Sequence, residues 1–290
     1  MADGSDKIFL GGPERTCRIC DRNHSETTFK MESHTVPEFL GNKRLFSNDE
    51  CDKCNGRFGL LESDFGEMTL ANRTIGGVPR KGTGLPTYKN TSDTLRVQQK
   101  QNTLNIEYKV DETGIYKENQ NDNSIELVFQ SKPYRPLAAF KSLAKIGFML
   151  LPVDRLPAFL HLKAWLQETD LNDGKHFNIY GHGCFISAIP GFKPTTPTVQ
   201  LFERRTNIDS PFCILRLIFG HFILQSVVPC PVLDRHLVNN KFDFRVIPTT
   251  YEADEDHIPL QPAWMELLQL EKVTTQQTWI AKSVGRTPAS

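Results

Sequence analysis

The chain has 290 residues, 34 basic and 34 acidic side chains and therefore no formal net charge, with 39% apolar residues. That balance excludes a protein that grips nucleic acid by a positive field spread over its whole surface; basic contacts must be local or supplied by a partner. The longest apolar run, AKIGFMLLP at 144–152, is far short of the ~20 residues of a membrane helix. The opening MADGSDKIFL has no basic leader before an apolar core, so the expectation is a cytoplasmic protein with no membrane partner.

In chain order, TTFKMES at 27–33 reads as a strand, Pro37 and Gly41-Asn42 bend the chain, and Leu45-Phe46 begin a second strand. CDKCNGRFGLLESDFG then reads as a helix from about 52 to 62, despite its glycines. GGVPRKGTGLPTYKN at 76–90 has no usable periodicity and reads as loop. Arg73, Arg80, Lys81 and Lys89 follow the cysteine region with no acid among them; such a run is more often a solvated loop than a phosphate track. Strands are expected at 94–99, 103–110 and 125–129. At 135–150 the period changes: Leu137, Phe140, Leu143, Ala144 and Ile146 mark one helix face, with Arg135, Lys141 and Lys145 opposite. A second helix follows, with Asp154 as cap, Pro157 in the first turn and a stripe of Phe159, Leu162, Trp165 and Leu166. Beyond 177 the texture is strand-like again. FCILRLIFGHFILQ reads as two strands turning at Gly220, KFDFRVI as a further strand, and the C-terminal tail as frayed. The expected class is α+β: a module at 1–75, a linker at 76–92, and a larger, strand-rich domain at 93–290 with a recognition or regulatory role.

Seven cysteines divide unevenly. Cys184, Cys213 and Cys230 sit in apolar runs and are expected as core thiols. The other four form two Cys-x-x-Cys pairs, Cys17/Cys20 and Cys51/Cys54. Two such knuckles supply four thiolates to one tetrahedral Zn2+. A redox reading would use a single pair at the start of a helix behind a strand; here two pairs flank a segment too small for its own core, and a metal makes it foldable. A closed all-cysteine shell does no chemistry, which leaves His34, between the pairs, free for another role.

The pattern C-x2-C … HTVPEFLGN … ECDKCN-x2-FG resembles the zinc-knuckle branch of the HNH endonucleases, over roughly residues 15–66, under a quarter of the chain. The resemblance implies a ββα-metal finger with Cys17, Cys20, Cys51 and Cys54 on a structural zinc and Pro37 in the family's His-x-x-Pro turn. It makes His34 the general base and Asn55 the helix-borne ligand of a catalytic divalent cation, Mg2+ or Mn2+. Many members carry a carboxylate immediately before the histidine; this chain has Ser33. Of Glu32, Glu38, Asn48 and Asp49, Glu38 ranks first as its replacement, because the turn at Pro37 folds it back. Asn48 is the candidate to tie the loop that orients His34, and Arg57 the candidate to reach a phosphate. The implied function is a metal-dependent endonuclease acting on DNA, of the kind found in phage-defence and restriction effectors, with a protein partner or activating ligand at the C-terminal domain. Ser33 and the neutral charge motivate the alternative, a non-catalytic zinc module for nucleic-acid or protein binding.

Overall fold

The computed structural model describes residues 7–79, 84–90, 92–100, 103–109, 115–119, 121, 124–188, 196–205, 209–238, 244, 246–247 and 260–282. β1 (Ile8–Leu10), β2 (Ser33–His34) and β3 (Leu45–Ser47) form a small sheet in the order β1-β3-β2, with β1 parallel and β2 antiparallel to β3. β2 is shorter than the expected strand at 27–33. The residues before it are held by a side chain instead: the Asp52 carboxylate accepts from Thr28 Oγ1 at 2.5 Å and from the amides of Lys30 and Met31 at 3.0 and 2.9 Å. Side-chain acceptors of this kind compete with a strand ladder for backbone donors.

α1 (Asp52–Met68) follows, longer than the expected 52–62, and α2 (Leu70–Ile75) continues it after a break at Thr69. Phe58, Phe65 and Met68 lie on one buried face and carry the helix past Glu62. Gly56 and Gly59 face open space, so they interrupt no packing. The first part of the chain is thus a zinc-knuckle ββα module with one added parallel strand.

The rest is a larger mixed α+β region. β4 (Thr87–Lys89) lies inside the stretch read as loop and pairs antiparallel with β5 (Leu95–Lys100), which pairs with β6 (Thr103–Tyr108). Leu95 and Val97 are buried and Arg96 and Lys100 exposed, the period of a half-buried strand. β7 (Tyr116–Asn119) pairs with β8 (Ser124–Gln130). After α3 (Pro136–Leu150), a 3-10 turn (Val153–Phe159) and α4 (Leu160–Gln167) come β9 (Gly183–Ala188), β10 (Thr198–Glu203), β11 (Cys213–Phe219), β12 (Phe222–Val227) and β13 (Leu260–Glu266). These five strands form one sheet in the order β10-β11-β12-β9-β13, and β14 (Gln276–Lys282) pairs with β8 in another. β13 and β14 went unread in the sequence, and the expected strand in KFDFRVI falls largely outside the described residues. β11 and β12 do turn at Gly220, whose φ is +57° and whose added Cβ would sit 2.8 Å from the Gly76 Cα; only glycine fits both constraints.

Asp154 does not cap α4, because the residues around it form the 3-10 turn, but Phe159, Leu162, Trp165 and Leu166 are buried as their stripe implies. Cys184, Cys213 and Cys230 are core thiols, and burial raises the pKa of each.

The main core is continuous from the cysteine module to the large sheet: Ile19, Phe58 and Phe65 share it with Phe140, Trp165, Leu215 and Phe222. α3 lies at its centre. The expected polar face of α3 does not exist: every residue from Pro136 to Met149 is buried, Lys141 and Lys145 included. Lys141 Nζ donates to the Glu168 carbonyl at 3.0 Å and lies 5.0 Å from the Trp165 ring. Burial, with Arg57 nearby, pushes its pKa down to about 8. Lys145 is fully enclosed, with Nζ 2.9 Å from Glu50 Oε2 and 3.4 Å from Glu62 Oε1. Burial is the largest influence on it and would lower its pKa, but the two carboxylates outweigh burial and hold the ammonium above its ordinary value.

Side chains of the module also grip the ends of the helix pair. The Asp64 carboxylate of α1 accepts the Arg135 amide at 2.8 Å, just before α3 begins. Arg18, between two zinc-knuckle cysteines, donates to the Leu151 and Met149 carbonyls at 2.6 and 3.2 Å, where α3 ends. Arg57 donates to the Leu166 and Gln167 carbonyls at 2.6 and 2.7 Å, at the end of α4, so the side chain expected to reach a phosphate is committed to a helix terminus. Lys145→Ala leaves two carboxylates without their buried cation and is expected to cost ~3–5 kcal/mol, read as a lower denaturant midpoint in equilibrium unfolding.

Candidate functional site

The cysteine frame forms first in the logic of the site. Asp21, just past the first pair, adopts a left-handed backbone (φ +60°), and its amide returns to the Cys17 carbonyl at 2.8 Å. This closes the knuckle. Cys51 is the N-cap of α1 and Cys54 lies in its first turn. The four sulfurs all lie within 4.8 Å of one another, with Cys20 and Cys51 Sγ 3.8 Å apart. A hydrogen bond from the Cys54 thiol pulls the Cys17 thiol down to about 5, while burial pushes Cys20 up to about 11. Four soft donors in a closed set suit a structural Zn2+ and leave it no open position for a substrate.

The frame sets the helix start against the β2–β3 pair. His34 is opposite Phe46 in that ladder, with the two rings 4.5 Å apart. The chain then turns at Pro37 into a 3-10 turn (Glu38–Leu40) that ends at Gly41, with φ +92°. Glu38 Oε2 comes to 3.9 Å from His34 Nε2, and both side chains keep about a quarter of their surface, 25% and 26%. Glu38 therefore folds back toward His34 as the Pro37 turn implies.

The loop is tied by Asn42, not by Asn48. Asn42 Nδ2 donates to the Val36 and Leu45 carbonyls at 2.7 and 2.8 Å, and its Oδ1 accepts the Leu45 and Arg44 amides at 2.9 and 3.2 Å. Asn48 contributes its amide to Leu10 O, and Asp49 accepts from Arg18 Nε at 2.8 Å. Glu32 is exposed and paired with Lys7, away from the buried side of β2.

On that buried side lies a group the sequence reading missed. Ser33 Oγ donates to Glu50 Oε2 at 2.5 Å and lies 3.3 Å from Asn55 Oδ1. Glu50 is fully enclosed and carries the ion pair to Lys145. Ser33 and Asn55 are thus brought together on one side of β2, and His34 and Glu38 meet beside the Pro37 turn. Two signals for Glu50 and Lys145 were present in the sequence: a carboxylate next to a zinc cysteine, and a lysine within a helix otherwise apolar almost all round, a place where lysine survives only if paired.

Residues 17–68 match the family model of an HNH endonuclease. No curated protein and no solved structure matches the chain. Purified protein is expected to contain one zinc per chain, and Cys51→Ser to lose both the metal and the thermal unfolding transition of the intact fold, measured by elemental analysis and calorimetry.

Proposed function

We propose that the chain engages nucleic acid through this HNH module, with DNA as its polymer and the edge made by β2, the Pro37 turn and the start of α1 against the phosphodiester backbone. The observation that carries the reading is a division of roles: four cysteines take the zinc, and His34, which the zinc does not need, is held partly exposed beside Glu38 and close in the chain to the Ser33–Asn55 contact. Exposed Lys30, Arg44 and Lys53 on the same module supply local positive charge without altering the neutral total. Contacts of this kind are to phosphate and read little sequence. The region beyond residue 92 then supplies a partner, an activating ligand or the choice of target.

On that edge we assign hydrolysis of the phosphodiester bond, as in a restriction or phage-defence effector. Imidazole exchanges protons near neutral pH, so His34 is assigned to take the proton of an attacking water, and the Glu38 carboxylate nearby stabilises the charged ring that results. The oxygens of Asn55 and Ser33, with the Glu50 carboxylate behind them, are hard donors of the type that Mg2+ and Mn2+ prefer. When bound, such an ion neutralises charge on the phosphate and the leaving oxygen. The zinc frame fixes the helix carrying Asn55 relative to the strand carrying His34, which is the rigidity such a site needs.

Binding without cleavage is the competing reading. It is favoured by Ser33, in the place of the usual carboxylate, and by the Lys145 ammonium 2.9 Å from the nearest buried carboxylate. Zinc-loaded full chain is to be tested with DNA and RNA, with and without Mg2+ or Mn2+. Binding that weakens with salt, by a log–log slope of about −0.9 per phosphate contact on duplex DNA, is expected. Cleavage by the wild type and a loss of ~10²-fold or more in His34→Ala, at unchanged binding, supports hydrolysis. Equal binding with no cleavage by either protein gives the second reading, and no binding by either overturns both.

A further inference from the structure

Each strand of the module's small sheet contributes one ring to a single row. Phe9 of β1 is the register partner of Phe46 of β3, and Phe46 is that of His34 of β2. Partners in a ladder share a face of the sheet, and neighbours along a strand take the other. Ser33 and Leu45 accordingly lie on the opposite face, toward Glu50 and the main core. Phe46 is buried but stands outside that core, covered by the row itself. Phe9 stacks on it with centroids 5.5 Å apart and planes at 28°, His34 lies 4.5 Å away, and Lys7 Nζ is 5.1 Å over its ring. Phe9 ends the row on the edge strand β1 and keeps 43% of its surface. One side of this ring is thus held by a stack and a ladder, and the rest is open to solvent. Exposed Lys7, Lys30 and Arg44 surround it on the same module, with Glu32 as the acid paired to Lys7. That pair is itself exposed and of the kind that contributes little, so a phosphate can take the ammonium from it. Two strand spacings, roughly 10 Å, separate Phe9 from His34.

We propose that Phe9 is a stacking platform for an unpaired nucleobase of the strand whose backbone passes His34. Every base has a π-face, so an exposed ring beside basic side chains holds a strand without reading its sequence. A base inside an intact duplex is stacked on both sides and cannot reach such a ring. The substrate is therefore DNA with free bases, either a single strand or a duplex with a base turned out. The proposal rests on the nucleic-acid reading above and names the form of the polymer. It also gives β1, the strand added to the ββα module, a part in binding.

The test is binding of zinc-loaded full chain, without added Mg2+ or Mn2+, to four dye-labelled DNAs followed by anisotropy: a single strand, an abasic strand of the same length, a fully paired duplex and a duplex with one mismatch. Wild type is expected to bind the single strand about tenfold or more tighter than the abasic strand. Phe9→Ala and Phe9→Leu are expected to lose that preference at unchanged zinc content. Phe9→Trp is expected to keep it, with indole emission quenched by the base-bearing strand and not by the abasic one. The abasic comparison uses wild type, so it decides the matter even if Phe9→Ala fails to fold. Dependence on Phe9 confined to the single strand assigns the base to that source; the same dependence on the mismatched duplex assigns it to a base turned out. Wild type with no preference for bases, Phe9→Ala that retains the preference, or a role for Phe9 only in self-association seen by sedimentation overturns the proposal. The two readings fail separately. Equal binding of base-bearing and abasic strands, with cleavage that needs His34, removes the stack and keeps the hydrolysis. Base binding that needs Phe9, in a protein that cleaves nothing, does the reverse, and wild type that binds no DNA overturns both.

Discussion

The Lys145 ammonium, enclosed between Glu50 and Glu62, sets the terms for the rest of the molecule. An ion in such a place is tolerated only with its counter-ions in position, because they supply most of what offsets its desolvation. Three elements must therefore meet at one point: α3, which carries the lysine, α1, which carries Glu62, and the segment entering the zinc site, which carries Glu50. The demand fixes the rotation of α3 about its own axis. Asp64 before the first turn of α3 and Arg18 at its end fix its slide along α1. A helix apolar on nearly every side would otherwise have few features to distinguish one packing register from the next.

Around that point the N-terminal module divides its work between two kinds of bond. The zinc site adds to the core that the module shares with α3 and the large sheet, and it joins the start of α1 to the first knuckle. Hydrogen bonds do the finer placement. Asn42 closes the loop from Val36 to Leu45, and Asp52 holds the strand-like segment before Ser33 to the helix start. Between them, His34 and Ser33 are set on a two-residue strand that would have no stability alone. The chemistry assigned to this edge depends on neighbours that are themselves tied down, not on the strand.

The same economy explains why a serine stands where a carboxylate would be expected. A charged residue at that buried position would lie next to Glu50 and would need a further cation of its own. Serine avoids a second negative charge and still presents an oxygen. The charge moves one layer inward, where α3 already supplies the compensating ammonium. Arg57 shows a related trade: its position two residues past Asn55 looks suited to a phosphate, yet it donates to the last two carbonyls of α4.

Much of the module was legible by sequence alone, because its determinants are local. Two Cys-x-x-Cys pairs, a proline turn and a short helix start are each written within a few residues, and the metal converts their spacing into geometry. The α3 and α4 stripes and the turn at Gly220 were legible for the same reason. What tertiary structure alone decided is where the charges go. Period placed Lys141 and Lys145 on a solvent face, since a pattern of apolar residues says which side faces one neighbour and not that neighbours cover every side. Glu50 and the length of β2 were settled by partners distant in the chain, Lys145 and the Asp52 carboxylate. β4 and β13 likewise owe their existence to strands they pair with, because a ladder's hydrogen bonds are made between segments and leave little mark on either one.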